Sequence, residues 1–167
     1  MAATTETVWT EMNDNIFGVL AFTNGAGEPR SAAVVYIVDG RSLLISTAAE
    51  SWKVRHIDRN PEVSMTVVIP KRVPFMPFIK IPAATVTFQG EAEILEVGDL
   101  ASETTDRLFK SSRLAEDMIH TVRIIRVVPR GRFVTYGIGM PITRMADHEQ
   151  ATARVPCGTD SEAMLTG

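Results

Sequence analysis

Cysteine is nearly missing from this chain of 167 residues, in which Cys157 stands alone. A single cysteine excludes an internal disulfide framework and is typical of a protein that folds in a reducing cytoplasm. Because Cys157 lies in a segment without regular patterning, we expect an exposed thiol there rather than a nucleophile.

Long apolar runs and an excess of basic residues are also missing. No run approaches the ~20 apolar residues that a transmembrane helix needs, and residues 1–6 lack the basic and apolar regions of a secretory signal. The formal net charge of −3 argues against a general nucleic-acid surface. We therefore expect a cytoplasmic protein with no nucleic-acid partner and no integral membrane association.

Familiar catalytic and metal-binding motifs do not occur. The histidines, His56, His120 and His148, have no cysteine, aspartate or glutamate at metal-ligand spacing, so we predict no metal site. There is no G-x-S-x-G and no Walker lysine motif. Catalytic residues therefore stay unassigned. This absence favours a protein that positions a cofactor, which then carries out the chemistry.

Short β-rich segments make up most of the chain. The patterns predict seven strands, over residues 16–23, 30–38, 42–46, 62–69, 84–95, 121–128 and 132–136. Asp39-Gly40 is the strongest hairpin signal, and Pro129-Arg130-Gly131 is expected to turn the last two strands. Helices are predicted over 4–15, over a short stretch ending at Asn60-Pro61, and over 100–119.

The order of these elements predicts a mainly β fold with inserted helices. Because the helices do not alternate with the strands, a small closed β-barrel fits better than a doubly wound sheet. Beyond Pro141 the periodicity is lost. We therefore expect one barrel domain, residues 1–140, and a C-terminal tail, residues 141–167, that is flexible or wraps around a partner subunit.

The segment best suited to a ligand is residues 46–53, where a strand leads into a helix. We expect Thr47 to cap that helix, with Glu50 reaching back to complete a capping box. Backbone N–H groups at such a helix start, together with nearby hydroxyls and Lys53, suit a phosphate. The alternative is that Lys53 is simply a solvated lysine of an amphipathic helix.

Several short motifs, in their order and spacing, resemble the flavin-binding split β-barrel superfamily of pyridoxamine 5′-phosphate oxidase. The motifs are Gly18-Val19-Leu20-Ala21, Gly27-Glu28-Pro29-Arg30, Leu44-Ile45-Ser46-Thr47, Ser51-Trp52-Lys53 and Asn60-Pro61-Glu62-Val63-Ser64. The similarity covers residues 6–137 and points in particular to the branch of flavin- and deazaflavin-dependent oxidoreductases. It implies a homodimer of split β-barrels with FMN or coenzyme F-420, a deazaflavin, in a groove between the subunits.

The resemblance also implies which residues hold the cofactor. Thr47 and Lys53 match the threonine and lysine that hold the phosphate in such proteins, and Ser46, Ser51 and Trp52 stand beside them. The remaining positions are Ser31 and Ala32 near the phosphate, the backbone of Val34, Val35 and Tyr36 along the ring, Thr66 on a neighbouring strand, and Thr85 against the ring.

Two arginines of the true oxidases are replaced here, by Trp52 and by Ala32. Their loss weakens the expected grip on the doubly charged phosphate of FMN. No arginine–histidine motif for the vitamin substrate follows Tyr136. A vitamin B6 oxidase is therefore not expected.

The stretch from residue 73 to 82 is apolar and broken by prolines. It fits either packing in a subunit interface or a lid over a hydrophobic substrate. In the second case Phe75 and Phe78 would form the lid, and Lys80 would place a charge near the mouth of the site.

Two functions remain open. The leading hypothesis is a flavin- or deazaflavin-dependent oxidoreductase that transfers a hydride to or from a small, rather apolar substrate. The alternative is a non-catalytic protein of the same fold that carries a flavin, haem or lipid, with haem the least expected of the cofactors.

Overall fold

Eight antiparallel strands in the described residues form the body of the protein. A computed structural model describes residues 3–71, 82–110, 116–141, 145 and 147–158. The strands are β1 (Phe17–Thr23), β2 (Pro29–Val35), β3 (Ile37–Asp39), β4 (Ser42–Ala48), β5 (Glu62–Ile69), β6 (Ala84–Leu95), β7 (Val122–Tyr136) and β8 (Thr152–Pro156). They follow the order β2-β1-β5-β6-β7-β4-β3, and β8 pairs with β7. The predicted mainly β fold is confirmed.

The described residues form four α-helices, of which the first precedes the strands and the other three lie between them. They are α1 (Thr5–Asn13), α2 (Trp52–Arg59), α3 (Ser102–Phe109) and α4 (His148–Ala151). Among the described residues, no helix combines the length and apolar character needed to cross a bilayer. The predicted lid residues Phe75, Phe78 and Lys80 lie outside the described residues.

Tyr36 joins the two ends of the strand order. Residues 30–38 were predicted as one strand, but β2 pairs with β1 whereas β3 pairs with β4. Only Tyr36 separates β2 from β3 in the chain, so the sheet must curl round to bring these strands together. The Tyr36 side chain is fully buried, and its hydroxyl donates to the carbonyl oxygen of Met12 at 2.7 Å. Burial raises the pKa of Tyr36 above its usual range.

The Asp39-Gly40 hairpin between β3 and β4 is confirmed. Asp39 pairs with Ser42 across a two-residue loop, and Gly40 has a φ of 58°. Glycine adopts this left-handed conformation without a Cβ clash. The local turn signal therefore decided this connection.

β7 runs without interruption from residue 122 to 136, so the predicted turn at Pro129-Arg130-Gly131 is wrong. β6 accompanies β7 along this length, with Gly90 opposite Pro129. A Cβ on Gly90 would lie 2.6 Å from the carbonyl oxygen of Val128, so only glycine allows this close approach. The register of the two strands shifts between Thr87 and Gln89, so β6 and β7 stay paired on both sides of this irregularity.

Part of the predicted tail is folded into the sheet. β8 pairs with β7, and Val155 and Cys157 lie in the main core. Trp9 of α1 donates from Nε1 to the carbonyl oxygen of Cys157 at 3.1 Å. The expectation of a flexible or partner-wrapping tail therefore fails for residues 147–158, because buried side chains and strand pairing hold them. The thiol of Cys157 is buried rather than exposed, and burial raises its pKa to about 12.

The outer surface of the sheet has a covered part and an open part. Over β4 and the first half of β7, Leu44, Val97 and Ile124 form a small second core with residues of the α3 region. Elsewhere the described residues leave apolar side chains of the sheet exposed. Phe17 is 46% exposed, Val35 60% and Val134 39%.

Candidate functional site

The junction of β4 and α2 carries the residues predicted to bind a phosphate. β4 continues through Thr47, which pairs with β7, so Thr47 lies within the strand. The helix starts at Trp52 and is capped by Ser51, whose hydroxyl accepts from the backbone N–H of Lys53 at 3.3 Å. The predicted capping box of Thr47 and Glu50 is wrong, because strand pairing extends beyond the residues that the pattern indicated. Ser46, also on β4, is exposed.

Lys53 lies in the first turn of α2, beside the ring of Trp52. The Nζ atom is 5.6 Å from the centroid of that ring, and no carboxylate of the described residues forms an ion pair with it. The Trp52 ring packs on Phe22 at 5.2 Å and on His56 at 6.2 Å. A cation over an aromatic face is attracted by the ring quadrupole. Near a helix N-terminus its charge adds to the positive end of the helix dipole, which favours an anion.

Two rows of outward-facing side chains cross the open part of the sheet, and we call them the open face. Strand pairings define the first row, and the residues two positions away along the same strands define the second. The first row is Ala33, Val19, Thr66, Thr87, Val134 and Arg154; the second is Val35, Phe17, Val68, Thr85, Tyr136 and Thr152. The surface is apolar with hydroxyl groups at its centre, where Thr66 Oγ1 and Thr87 Oγ1 are 3.0 Å apart.

Three of the predicted cofactor residues lie on this open face. They are Val35, Thr66 and Thr85, and Ser31 is exposed two residues before Ala33 on β2. The structure thus groups one set of predicted residues on the open face and a second set, residues 46–53, at the junction of β4 and α2.

The other predicted positions on β2 face the barrel interior. Val34 and Tyr36 are buried, and Ala32 packs against the core. For Val34 and Tyr36, only the backbone groups are therefore suited to meet a ligand on the outside, which is the role that the family resemblance implies for them.

Sequence reasoning missed Thr87, Val134 and Arg154 of the open face. Thr87 follows Thr85 at the strand period of two, so the alternation of β6 was a usable signal. No local pattern points to Val134 or Arg154, because their places depend on the pairing of β7 with β6 and of β8 with β7.

A pocket of about 600 Å³ lies elsewhere, under the C-terminal end of α2. Its floor includes Ile57 and Ala92, and its rim includes Glu91 and Arg130. Arg130 already forms ion pairs with Glu62 and Glu91. Because this charge is satisfied within the chain, the pocket offers no free cation for a phosphate.

Groups suited to metal binding or acid–base chemistry are scarce at both places. Within the described ranges, no three histidine, cysteine, aspartate or glutamate side chains come together to hold a metal ion. The twelve residues of the open face include no carboxylate and no imidazole. Tyr136 is the only one of the twelve with an ionisable hydroxyl, and that hydroxyl donates to the carbonyl oxygen of Met145 at 2.8 Å.

The curled sheet with its inserted helices defines a split β-barrel. The family model described as pyridoxamine 5′-phosphate oxidase matches residues 4–135, and the chain belongs to this family. No match was found among curated proteins.

Solved structures show the same fold at low sequence identity. A haem-binding protein of Mycobacterium smegmatis has a TM-score of 0.67 at 17% identity, covering 94% of this chain but only 59% of its own. An F-420 reductase has a TM-score of 0.50 at 24% identity, and the match covers 71% of this chain and 88% of the reductase chain. A FAD-binding protein of Mesorhizobium loti has a TM-score of 0.57 at 16% identity, and the match covers 76% of this chain and 88% of that protein's chain. Proteins of this fold therefore take different cofactors.

Proposed function

We propose that the protein is a cytoplasmic, homodimeric oxidoreductase. It binds a flavin or a deazaflavin and transfers a hydride to or from a small, rather apolar substrate. Membership of the pyridoxamine 5′-phosphate oxidase family and the likeness to the F-420 reductase support this class of reaction.

The observation that carries the proposal is the ammonium of Lys53 at the start of α2, which forms no ion pair with a carboxylate of the described residues. Lys53 lies in the first turn of α2, which the Ser51 hydroxyl caps, where the family resemblance expects the cofactor phosphate. Lysine is a compact point charge that suits a phosphate group. The residues present therefore fit a ligand phosphate, with Thr47, Ser51 and Lys53 as the groups that hold it.

The number of cations at this junction bears on the choice of cofactor. A phosphomonoester such as that of FMN carries close to two negative charges at neutral pH, whereas a phosphodiester such as that of the deazaflavin cofactor carries one. Trp52 contributes no charge where the oxidases have an arginine. A single lysine therefore matches a phosphodiester better than it matches FMN.

The open face has the character of a surface for a planar ring. Val19 and Val35 offer apolar contact, and Thr66, Thr85 and Thr87 offer hydroxyl groups. A bound flavin or deazaflavin would supply the hydride chemistry, which the side chains of this face lack. The protein's part is to orient the ring and to keep water from it.

A second copy of the chain is the proposed cover of the open face. Phe17 and Val35 are paired neighbours on this face and are 46% and 60% exposed, so a second subunit there would remove apolar surface from water. A second subunit there would create the groove that the family resemblance implies, with the ring surface and the phosphate-binding junction at its walls. It would also shield the reacting ring from solvent.

The second candidate function is a non-catalytic carrier of flavin, haem or lipid. The absence of carboxylate and imidazole groups from the open face favours it, and the haem-binding neighbour belongs to the same fold. In this case the apolar face would hold its ligand without turnover.

Purified protein tests the two functions. The oxidoreductase requires that the protein bind FMN, FAD or reduced F-420 and turn the reduced cofactor over with an acceptor. An absorbance spectrum with a Soret band, or tight cofactor binding without turnover by any acceptor, would establish the carrier instead. The absence of any binding of these cofactors would sink the oxidoreductase.

A further inference from the structure

Arg132 on β7 and Arg154 on β8 lie next to each other on the outer surface of the sheet. Arg132 pairs with Pro156, and Val134 pairs with Arg154. Because side chains alternate along a strand, Arg132, Val134 and Arg154 share one face. Both arginines are exposed. Diagonal neighbours across an antiparallel pair have Cβ atoms about 7–8 Å apart or less, so two guanidinium groups there can reach one ligand.

Neither arginine forms an ion pair with a carboxylate in the part of the chain that the structure describes. Five other arginines in that part do, namely Arg30, Arg107, Arg123, Arg126 and Arg130, and three do not, namely Arg41, Arg55 and Arg59. Arg132 and Arg154 are diagonal neighbours on one face of the sheet, so their charges lie close together. Like charges side by side on a sheet repel each other. An oxyanion placed between them replaces that repulsion with two attractive contacts.

We propose that Arg132 and Arg154 form an oxyanion-binding site for a phosphate or carboxylate group. Each guanidinium presents a planar fork of N–H donors that matches the oxygens of such a group. Val134 and Thr87 extend the surface from the arginines toward the middle of the open face. The ligand therefore has an apolar or planar body over the open face and an oxyanion over the arginines.

The oxyanion group has two sources, a bound cofactor or a free substrate. Both present the same chemistry to the arginines. The site consists of residues other than Lys53 and its junction, and it does not depend on the proposed hydride transfer.

Inorganic pyrophosphate is the probe for this site. Its effect on thermal unfolding is measured with the full chain carrying Lys53→Ala, so that the junction of β4 and α2 does not contribute, and sodium chloride at equal ionic strength corrects for screening. We expect pyrophosphate to raise the Tm of this protein. Adding Arg132→Gln or Arg154→Gln should abolish the rise. Adding Arg59→Gln, which removes an exposed α2 arginine with no carboxylate partner among the described residues, should leave it unchanged. An equal rise in all variants overturns the proposal.

Stability without the anion gives an independent readout. At low salt, Arg154→Gln should unfold at the same temperature as the parent or a higher one, because a repulsion is relieved. If either glutamine variant fails to fold, Arg154→Lys replaces it, since it keeps the charge but loses the planar fork. Isothermal titration should then show weaker pyrophosphate binding than in the parent, and unchanged affinity would overturn the site.

Titration of FMN and F-420 identifies the source of the oxyanion. If Arg132→Gln together with Arg154→Gln weakens binding of either cofactor several-fold, the group belongs to that cofactor. If the same pair abolishes the pyrophosphate effect and leaves both cofactor affinities unchanged, the group belongs to a free substrate. If only Lys53→Ala weakens cofactor binding and the pyrophosphate effect stays intact, the loss belongs to the proposed cofactor site at the junction of β4 and α2. The arginine site is then unaffected.

Discussion

The ammonium of Lys53 lies 5.6 Å from the ring centroid of Trp52, its neighbour in the chain. The indole packs on Phe22 of β1 and is thereby fixed to the barrel. The lysine charge is thus held near the start of α2 without being neutralised by a carboxylate of the described residues. This arrangement leaves one positive charge available to a ligand at the junction of β4 and α2.

Replacing Lys53 tests that availability. Lys53→Ala should weaken cofactor binding by about 1.5–3 kcal/mol, the range for a hydrogen bond to a charged group, which is roughly 10- to 150-fold in Kd. Fluorescence titration with FMN and F-420 measures the change. Arg55→Ala is the control, because it removes an exposed cation from the same helix. Equal affinities for Lys53→Ala and the parent would contradict the assignment of the phosphate to this junction.

Trp52 is expected to select against a doubly charged phosphate. Trp52→Arg should raise the affinity for FMN by about tenfold, corresponding to about 1.4 kcal/mol, and should raise the affinity for F-420 by less. The measured quantity is the ratio of the two Kd values. Trp52→Leu controls for loss of the indole without added charge. A ratio that does not move in Trp52→Arg would show that charge does not set the preference.

Gly90 should be intolerant of a side chain, in contrast to Gly98. A Cβ at Gly90 would lie 2.6 Å from the backbone oxygen of Val128, whereas one at Gly98 would meet nothing within 4 Å. Gly90→Ala should therefore lower the free energy of unfolding by about 1–3 kcal/mol, the usual cost of overpacking. Gly98→Ala should change it by less than about 0.5 kcal/mol. Urea unfolding measures the free energy of unfolding of both variants. Similar losses in the two would refute the close approach of β6 and β7.

Cys157 should make the fold sensitive to alkaline pH. Burial raises its pKa to about 12 in the folded state, while an unfolded chain ionises the thiol near its usual ~8.5. The stability contributed by the neutral thiol is therefore complete below about pH 8.5 and is lost as the pH rises toward 12. Between pH 8 and 9.5, unfolding free energy should fall by about 1 kcal/mol more in the parent than in Cys157→Ala.

Urea titrations at pH 8, 9 and 9.5 measure this difference in slope, which is insensitive to the small cavity left by alanine. Tyr36 has a raised pKa in both proteins and cancels in the comparison. The buried thiol should also react with a thiol reagent at pH 8 only as fast as the chain opens. Rapid labelling of the native protein would contradict the burial of Cys157.

Local signals in the sequence were sufficient for several elements. The patterns predicted β5 over 62–69 and β6 over 84–95, and the structure has these strands as Glu62–Ile69 and Ala84–Leu95. Alternation and β-branched residues are local properties, so a single strand can be recognised without its neighbours. The hairpin at Asp39-Gly40 was predictable for the same reason, because a two-residue turn depends on its own glycine.

Long-range pairing accounts for what the patterns missed. Pro129-Arg130-Gly131 has the composition of a turn, but β6 pairs through it with Gly90 opposite Pro129. Thr47 has the chemistry of a helix cap, but its place in β4 moves that role to Ser51. In each case a partner far away in the chain overrode a local preference.

The sequence by itself determined the mainly β class, the likeness to the family and the chemistry of residues 46–53, because motif order and residue type are local. Only the tertiary structure decided that β2 and β3 separate at Tyr36, that β8 returns to β7, and that Arg154 shares a face with Thr87 and Thr66. Strand register is the physical reason. A shift of one residue in pairing moves every side chain of a strand to the opposite face.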